Sequence, residues 1–485
     1  MTGVPTGGTM RCIAAPSLRE SGLYRHALCI YPYRSDVVTG RFYPPLGLEI
    51  IASVLKPHCR EIDVIDLRHD AGETKDFIRP ETDMVCFSVN WGRHLEFGLE
   101  QIRSVPADIF TIVGGRHATD FPEEVLAECP NIDVLVRGDG EEAIDEIARG
   151  LPLAGITGIS RRQDGNICHN ENRHYGPPKG DPRPDRRLRR HAYKLDLEGY
   201  DTGVTVDTVA SSRGCPYNCR FCSFGRSPWG EKRTWAPRPP EAVVREIEEI
   251  DAEIVMFTDD VFTHDMDRVE AICDGIIERG IRKRFLANAR LEVSKRMDVV
   301  RKMERAGFIS LWLGVESAQD KSLKLMKKGF DTKKIEEHFR ELRKSRMILN
   351  GYFIIGLIGE TEEEMLKAAP FAHRLGLDAV ALSRLRTHPY DGLRELIEES
   401  PGYHVSKKGF IYSDEISLKR IKAIRRRIYR EFYTPWHVLK LGWKVLRSGV
   451  VGPGRLARLA VIGVRSTRAK RKRRRLRREK RQAGG

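Results

Sequence analysis

Nowhere in the 485 residues do eighteen apolar side chains run together, so the sequence offers no membrane-crossing helix. Residues Met1 to Glu20 mix Gly, Pro, Thr and charges without an apolar stretch, and no secretory signal is expected there. Cysteine is sparse and mostly solitary: Cys12, Cys29, Cys59, Cys86, Cys129, Cys168 and Cys273 stand apart, several in apolar runs, as buried reduced thiols do. A disulfide-stapled secreted fold is thereby excluded. A reducing cytoplasmic compartment, low in oxygen, is expected. An even spread of charge is also missing. The formal net charge is +16, but twelve Arg or Lys between Arg465 and Arg481 stand against Glu479 alone. The basicity therefore belongs to the tail and says little about the body. No aromatics interleave with it, and no RNA-binding module is visible, so nucleic acid is not an expected partner.

What the chain does have is Cys215-Pro-Tyr-Asn-Cys219-Arg-Phe-Cys222, preceded by Ser211-Ser-Arg-Gly214 and the apolar run Val204 to Ala210. Thiolates are the soft ligands that iron–sulfur clusters need, and a tight loop delivers three of them to one small object. A 4Fe–4S cluster held by three thiolates keeps one iron open. A closed zinc site wants four ligands, and no fourth Cys or His is near in sequence. An odd trio also fits a disulfide poorly. Cys-x3-Cys-x-aromatic-Cys resembles the cluster loop of the radical S-adenosylmethionine (SAM) enzymes. The resemblance implies that SAM chelates the open iron, and that an electron cleaves its sulfonium to a 5′-deoxyadenosyl radical. It places Phe221 beside the adenine.

Ahead of the loop, short apolar runs alternate with amphipathic stretches. Ala27–Tyr31, Asp63–Asp66, Met84–Ser88, Ile109–Val113 and Val134–Val136 read as strands, and Ile156 to Ile167 as a hairpin turning at Asp164-Gly165. This pattern predicts a doubly wound parallel sheet that binds ligands beyond the carboxyl ends of its strands. Gly114-Gly115-Arg116 and Gly138-Asp-Gly140-Glu141 follow the fourth and fifth strands, where glycine lets a flat ligand approach backbone. Taken alone, such turns are ordinary. Ahead of a radical SAM loop they resemble the flavodoxin-like cobalamin-binding domain of the cobalamin-dependent subfamily. That resemblance also implies corrin contacts for Tyr33, Pro45, Gly47, Ser88 and Asn90. The cobalt-ligating Asp-x-His-x-x-Gly pattern is absent: Asp66-Leu-Arg-His69 has one residue too many and follows the second strand. No protein imidazole is expected beneath cobalt.

Beyond the loop the pattern strand-then-helix occurs about six times, which predicts a partial (β/α)6 barrel with its chemistry at the strand carboxyl ends. By resemblance, Asp259 and Asp260 meet the SAM ammonium. Asn288, Arg290, Glu316 and Ser317 reach its ribose and carboxylate, and Gly356 lies on the adenine side. Each acidic residue also has an ordinary reading as a helix cap or a buried ion pair. The expected domains are a disordered start (1–25), a cobalamin-binding domain (26–169), a Pro/Arg-rich linker (170–200), the partial barrel (201–400), a helical region (401–464) and a disordered basic tail (465–485).

Trp436, Leu439, Trp443 and Leu446 recur at three and four behind Thr434-Pro435, flanked by Lys440, Lys444 and Arg447. The stretch is either a helix packed on the barrel or an interfacial helix lying on anionic lipid. The resemblance spans roughly residues 27 to 435, most closely the cyclase-type branch with its anaerobic chlorophyll and hopanoid enzymes. It implies a 4Fe–4S cluster, SAM, cobalamin and a flavodoxin or ferredoxin as low-potential electron donor. It further implies hydrogen abstraction from, and methylation of, an unactivated carbon, on a small or lipid-like substrate. Cyclisation or oxidation without methyl transfer is one alternative, and a non-catalytic cobalamin sensor is another.

Overall fold

The computed structural model describes residues 23–34, 42–92, 94–176, 179–197, 200–227, 229–388 and 392–449. The expected disordered start up to residue 22, the apolar stretch after 449 and the basic tail lie outside the described residues. The chain divides into two compact units. One comprises described residues up to 34, 45 to 191 and 226 to 236, and the other takes the remainder.

In the first unit, β1 (Tyr24–Tyr31), β2 (Cys59–Asp66), β3 (Thr82–Ser88), β4 (Phe110–Gly114) and β5 (Val134–Val136) pair in parallel. The antiparallel strands β6 (Ile159–Gln163) and β7 (Asn166–His169) close the edge. The order is β2-β1-β3-β4-β5-β6-β7. The winding direction therefore reverses between β1 and β3, where a doubly wound sheet opens its ligand crevice. The strands are apolar on both faces because helices cover both. Ala27, Cys29, Met84 and Ile112 enter one core, and Leu28, Ile30, Val85 and Val113 the other. Each buried aliphatic side chain contributes about 1.5–3 kcal/mol relative to exposure. Asp164 and Gly165 both take positive φ in the two-residue turn of the β6–β7 hairpin, as such turns require.

The Pro/Arg-rich stretch read as a linker is strapped to this unit. Arg189 forms a two-pronged ion pair with Glu49, each nitrogen 2.7 Å from a carboxylate oxygen, and His191 meets Asp70 at 2.8 Å. Residues 226–236, directly after the cysteine loop, also fold into the first unit. Trp229 stacks on Tyr175 with centroids 5.5 Å apart, and Arg233 pairs with Asp139 at 2.9 Å.

In the second unit six parallel strands stand in sequence order: Tyr200–Val209, Ile254–Phe257, Arg284–Ala289, Phe308–Glu316, Ile348–Ile355 and Ala379–Arg384. Lys194–Leu197 adds an antiparallel edge. This is a half-barrel, with helices on its outer face. Phe257, Phe262, Phe285 and Phe308 pack between sheet and helices with centroids 4.3–5.9 Å apart. Several acidic or hydroxyl residues at helix starts are caps: Asp265 accepts from the amides of Asp267 and Arg268, and Thr361 forms a capping box with Glu364.

Candidate active site

The first strand of the half-barrel delivers the chain into the cysteine loop, and its exit is tied down by buried polar contacts. Asp259, 1% exposed, accepts from the amide of Ser211 at 3.0 Å, from the Ser211 hydroxyl at 2.7 Å and from the Ser212 hydroxyl. Arg268 donates to the Ser211 carbonyl at 2.6 Å and to the Arg238 carbonyl at 3.0 Å. Sequence reasoning gave Asp259 to SAM. Its carboxylate, turned into the sheet–helix interior, holds the strand exit. Asp260, one residue on, lies close enough to Cys215 and Cys222 for its charge to raise both thiols.

Cys215, Cys219 and Cys222 are reduced and partly exposed on one short loop. Burial pushes the Cys222 thiol up to about 12 and raises that of Cys215, and the neighbouring sulfurs add to both shifts. Among the described residues, no three His, Cys, Asp or Glu groups close to single-ion distances. The loop is braced from beneath. The Arg290 guanidinium lies 3.6 Å from the Tyr217 ring centroid and 5.0 Å from that of Phe330, and it donates to Glu292 at 3.2 Å. The Arg220 amide donates to the Met326 carbonyl at 3.0 Å. Phe221 packs with Met326, Ile354, Leu357 and Ile358, an apolar pocket between the loop and the fifth strand's exit.

The other strand ends gather around this loop. Asn288 donates to the Asp259 carbonyl at 3.1 Å. Glu316 ends the fourth strand at φ 70°, a left-handed conformation uncommon for a side chain of this size, and pairs with Lys328 at 2.8 Å in a buried position. Gly314 makes room for that pair: a Cβ there would stand 2.4 Å from Glu316 Oε1 and 2.5 Å from Lys328 Nζ. The Ser317 hydroxyl donates to Glu360 at 2.6 Å, and Glu360, buried, is raised to about 7. Gly356 takes φ 83° against Ile421. Lys328 and Arg268 were not singled out from sequence. A lysine twelve residues beyond its carboxylate, and an arginine on a helix, carry no periodic signal, and only the fold pairs them.

In the first unit, the predicted corrin-side residues converge on the β1/β3 switch point and the β4 exit. The buried Tyr33 hydroxyl accepts from the amides of Asn90 at 2.7 Å and Trp91 at 2.8 Å. The Asn90 side chain donates to Ser88 Oγ at 3.0 Å and accepts from the Arg116 amide at 3.0 Å, tying the β3 exit to the β4 exit. Arg116 pairs with Asp120 at 3.0 Å. Gly115 has φ 100°, and a Cβ there would fall 2.7 Å from the Val89 carbonyl. Gly138, at φ 85°, faces Tyr175 and Trp229, its amide donating to Thr119 at 3.0 Å. Gly140 caps the helix that Glu141 begins, and Gly114 closes β4. Pro45 precedes Leu46–Leu55. Gly47 is the exception: nothing lies within 4 Å of where its Cβ would be, so close packing does not require glycine there. His69 stands after the edge strand β2 with its ring 5.9 Å from that of His191.

The sequence profile of the radical SAM superfamily matches residues 209–372, and that of the B12 binding domain matches residues 37–148. The chain carries a radical SAM domain and a B12 binding domain. An uncharacterised methyltransferase of Pyrococcus horikoshii is 29% identical over 74% of this radical SAM chain and 78% of its own. The anaerobic magnesium-protoporphyrin IX monomethyl ester cyclase of Cereibacter sphaeroides is 25% identical over 71% of this chain and 58% of its own. The solved structure of the radical SAM methyltransferase TsrM from Kitasatospora setae, with cobalamin and a [4Fe-4S] cluster bound, superposes with TM-score 0.67 at 18% identity. The match covers 85% of this chain and 90% of that one. A radical SAM domain and a B12 binding domain call for a 4Fe–4S cluster, SAM and cobalamin. The residues present fit them: three soft thiolates on one loop, and, at the β1/β3 reversal and the β4 exit, Tyr33, Ser88, Asn90 and the Gly114-Gly115 turn gathered where a doubly wound sheet binds its ligand.

Proposed function

We propose that the protein methylates an unactivated carbon of a small molecule. The observation that carries this reading is the presence in one chain of an intact three-cysteine loop and a doubly wound sheet whose exits at the β1/β3 reversal gather Tyr33, Ser88, Asn90 and the Gly114-Gly115 turn. When bound, the cluster supplies the electron that opens the SAM sulfonium, and the corrin supplies the methyl group. Cys215, Cys219 and Cys222 hold the iron. Phe221 and Gly356 border the adenine side, and Asp260, with Asn288, is placed for the SAM ammonium and ribose. Glu316, held by Lys328, and Ser317, held by Glu360, shape the ribose–carboxylate side. Arg290 acts as a brace of the loop. Gly114, Gly115, Gly138 and Gly140 let the corrin approach backbone, and Tyr33 with Asn90 fixes that cradle. The intact triad speaks against a cobalamin sensor without catalysis. Products separate methylation from cyclisation or oxidation. Methylation yields one methylated product and one S-adenosylhomocysteine per turnover, and the alternatives yield neither. If anaerobic turnover with candidate substrates gives 5′-deoxyadenosine and dehydrogenated or cyclised product without methyl uptake, the methylation reading fails.

Two partners complete the proposal: a low-potential donor of the flavodoxin or ferredoxin class, and peripheral contact with an anionic membrane through the C-terminal region. Among the described residues no helix is long and apolar enough to cross a membrane. Support for the peripheral contact comes from Pro435–Arg447, a helix capped by Thr434, on which Trp436 is 77% exposed, Leu439 66% and Trp443 63%.

A further inference from the structure

The membrane contact proposed above has a definite side. The helix Pro435–Arg447 is anchored at the end where the half-barrel strands begin. His437 Nε2 lies 2.9 Å from the carbonyl of Asp378, and Lys444 meets the Asp378 carboxylate at 2.6 Å, directly before the sixth strand (Ala379–Arg384). At the helix's other end Arg284, first residue of the third strand, donates to the Ser448 carbonyl at 2.8 Å. His437, Lys444 and Ser448 share one helix face. The exposed arc turned away from these anchors carries Trp436, Leu439 and Trp443, together with the exposed Lys440 and Arg447.

A second observation, independent of the helix, marks the same end. The turns that enter the third, fourth and fifth strands present Arg282, Arg305 and Arg346, all exposed, and among the described residues none of them meets a carboxylate. Arg296, on the exit side, by contrast meets Asp267, Glu270 and Asp298. A stripe of amphipathic aromatics flanked by Lys440 and Arg447 on the helix, with Arg282, Arg305 and Arg346 at the same end, is complementary to an anionic lipid surface. A water-filled aqueous boundary or an acidic patch of a second copy has no use for two exposed tryptophans on a rigidly held helix.

We infer that the strand-entry end of the half-barrel is the membrane-docking face for anionic lipid, and that the cysteine loop and the strand exits stand on the side away from the bilayer. The six residues of the sixth strand place the exits about 20 Å farther out, at ~3.3 Å per residue. A substrate therefore reaches the site from water, and a lipid-soluble one has to be lifted clear of the bilayer first.

The test uses the anaerobic holoenzyme with vesicles of phosphatidylcholine containing about a third phosphatidylglycerol, read by sedimentation and by hydrogen–deuterium exchange. Binding that weakens with salt is expected, with new protection in residues 434–449 and in the strand-entry turns 279–284, 305–308 and 343–348. Exchange in 258–265, 290–296 and 317–331 should not change. Replacing Arg282→Glu and Arg346→Glu together, or Trp436→Ser and Trp443→Ser together, should each weaken vesicle partition about tenfold or more. SAM cleavage in solution should be unchanged in these variants, which also reports that they fold. No binding at low salt overturns the membrane contact itself. Binding with protection in the strand-exit loops leaves that contact standing and overturns the orientation. Residues 434–449 already protected without vesicles, with or without dimerisation by gel filtration, show the stripe covered by protein and overturn both.

Discussion

Glu360 ties the pH dependence of stability to the site. It lies just past the fifth strand, 6% exposed, accepting from the Ser317 hydroxyl at 2.6 Å and the Leu357 amide at 3.3 Å. Burial is the larger effect and raises its carboxyl from 4.5 to about 7, against the hydrogen bonds that lower it. The folded state thus retains a proton that the unfolded chain releases near 4.5. Below that pH the contribution to stability is fully present, and it is lost as pH rises toward 7. Integrating between these two values gives a loss of about 2 kcal/mol from pH 5 to pH 7 and little more above it. For a unit of this size, that corresponds to a fall of about 4–8 °C in melting temperature. Glu360→Gln removes the titration while keeping the shape. Its amide oxygen can accept from Leu357, and its NH2 can donate to the Ser317 hydroxyl. Melting curves of the wild type and the variant, taken anaerobically from pH 5 to pH 8, should run together at pH 5 and diverge by that amount at pH 7, the variant being the more stable. A constant difference across the range would show that Glu360 ionises normally in the folded protein, and the reasoning from burial would be wrong.

Cys215→Ala, Cys219→Ala or Cys222→Ala should each abolish the ~4 irons per chain expected after reconstitution; iron persisting undiminished in the triple variant refutes the cluster assignment. Gly115→Ala forces a side chain into a left-handed conformation against the Val89 carbonyl. It should cost about 1–3 kcal/mol and lower cobalamin occupancy of the purified protein, read from its visible spectrum; unchanged occupancy would remove Gly115 from the cradle. Cobalamin should bind base-off, with no imidazole nitrogen splitting in its cobalt(II) resonance spectrum. His69→Ala should leave that spectrum unaltered, and three-line splitting lost in that variant would overturn the placement of His69.

Local pattern was enough to determine much of this protein. Val204 to Ala210 and its five successors are short β-branched or aromatic runs separated by amphipathic stretches, and such a period leaves a parallel sheet with helices as the packed solution. The cysteine spacing carries its own chemistry, because three soft ligands within eight residues have few other uses. The positive φ of Asp164 and Gly165 was equally legible, since a two-residue hairpin demands it. Tertiary structure decided the rest, wherever the partner of a polar group lies far off in sequence. Asp259 and Asp260 are indistinguishable as letters, and only the alternation of the strand exit sends the first inward to Ser211 and Ser212 and leaves the second beside the cysteines. That Arg290 lies against Tyr217 and Phe330, 73 and 40 residues away, was likewise invisible in the sequence. The segment after the cysteine loop joined the first unit through Trp229 and Arg233, whose partners are 54 and 94 residues away. The side of the half-barrel on which the tryptophan helix lies depended on Asp378 and Arg284. No periodicity encodes such contacts, because they arise only when strands of fixed direction set residues from distant turns at one end of a sheet.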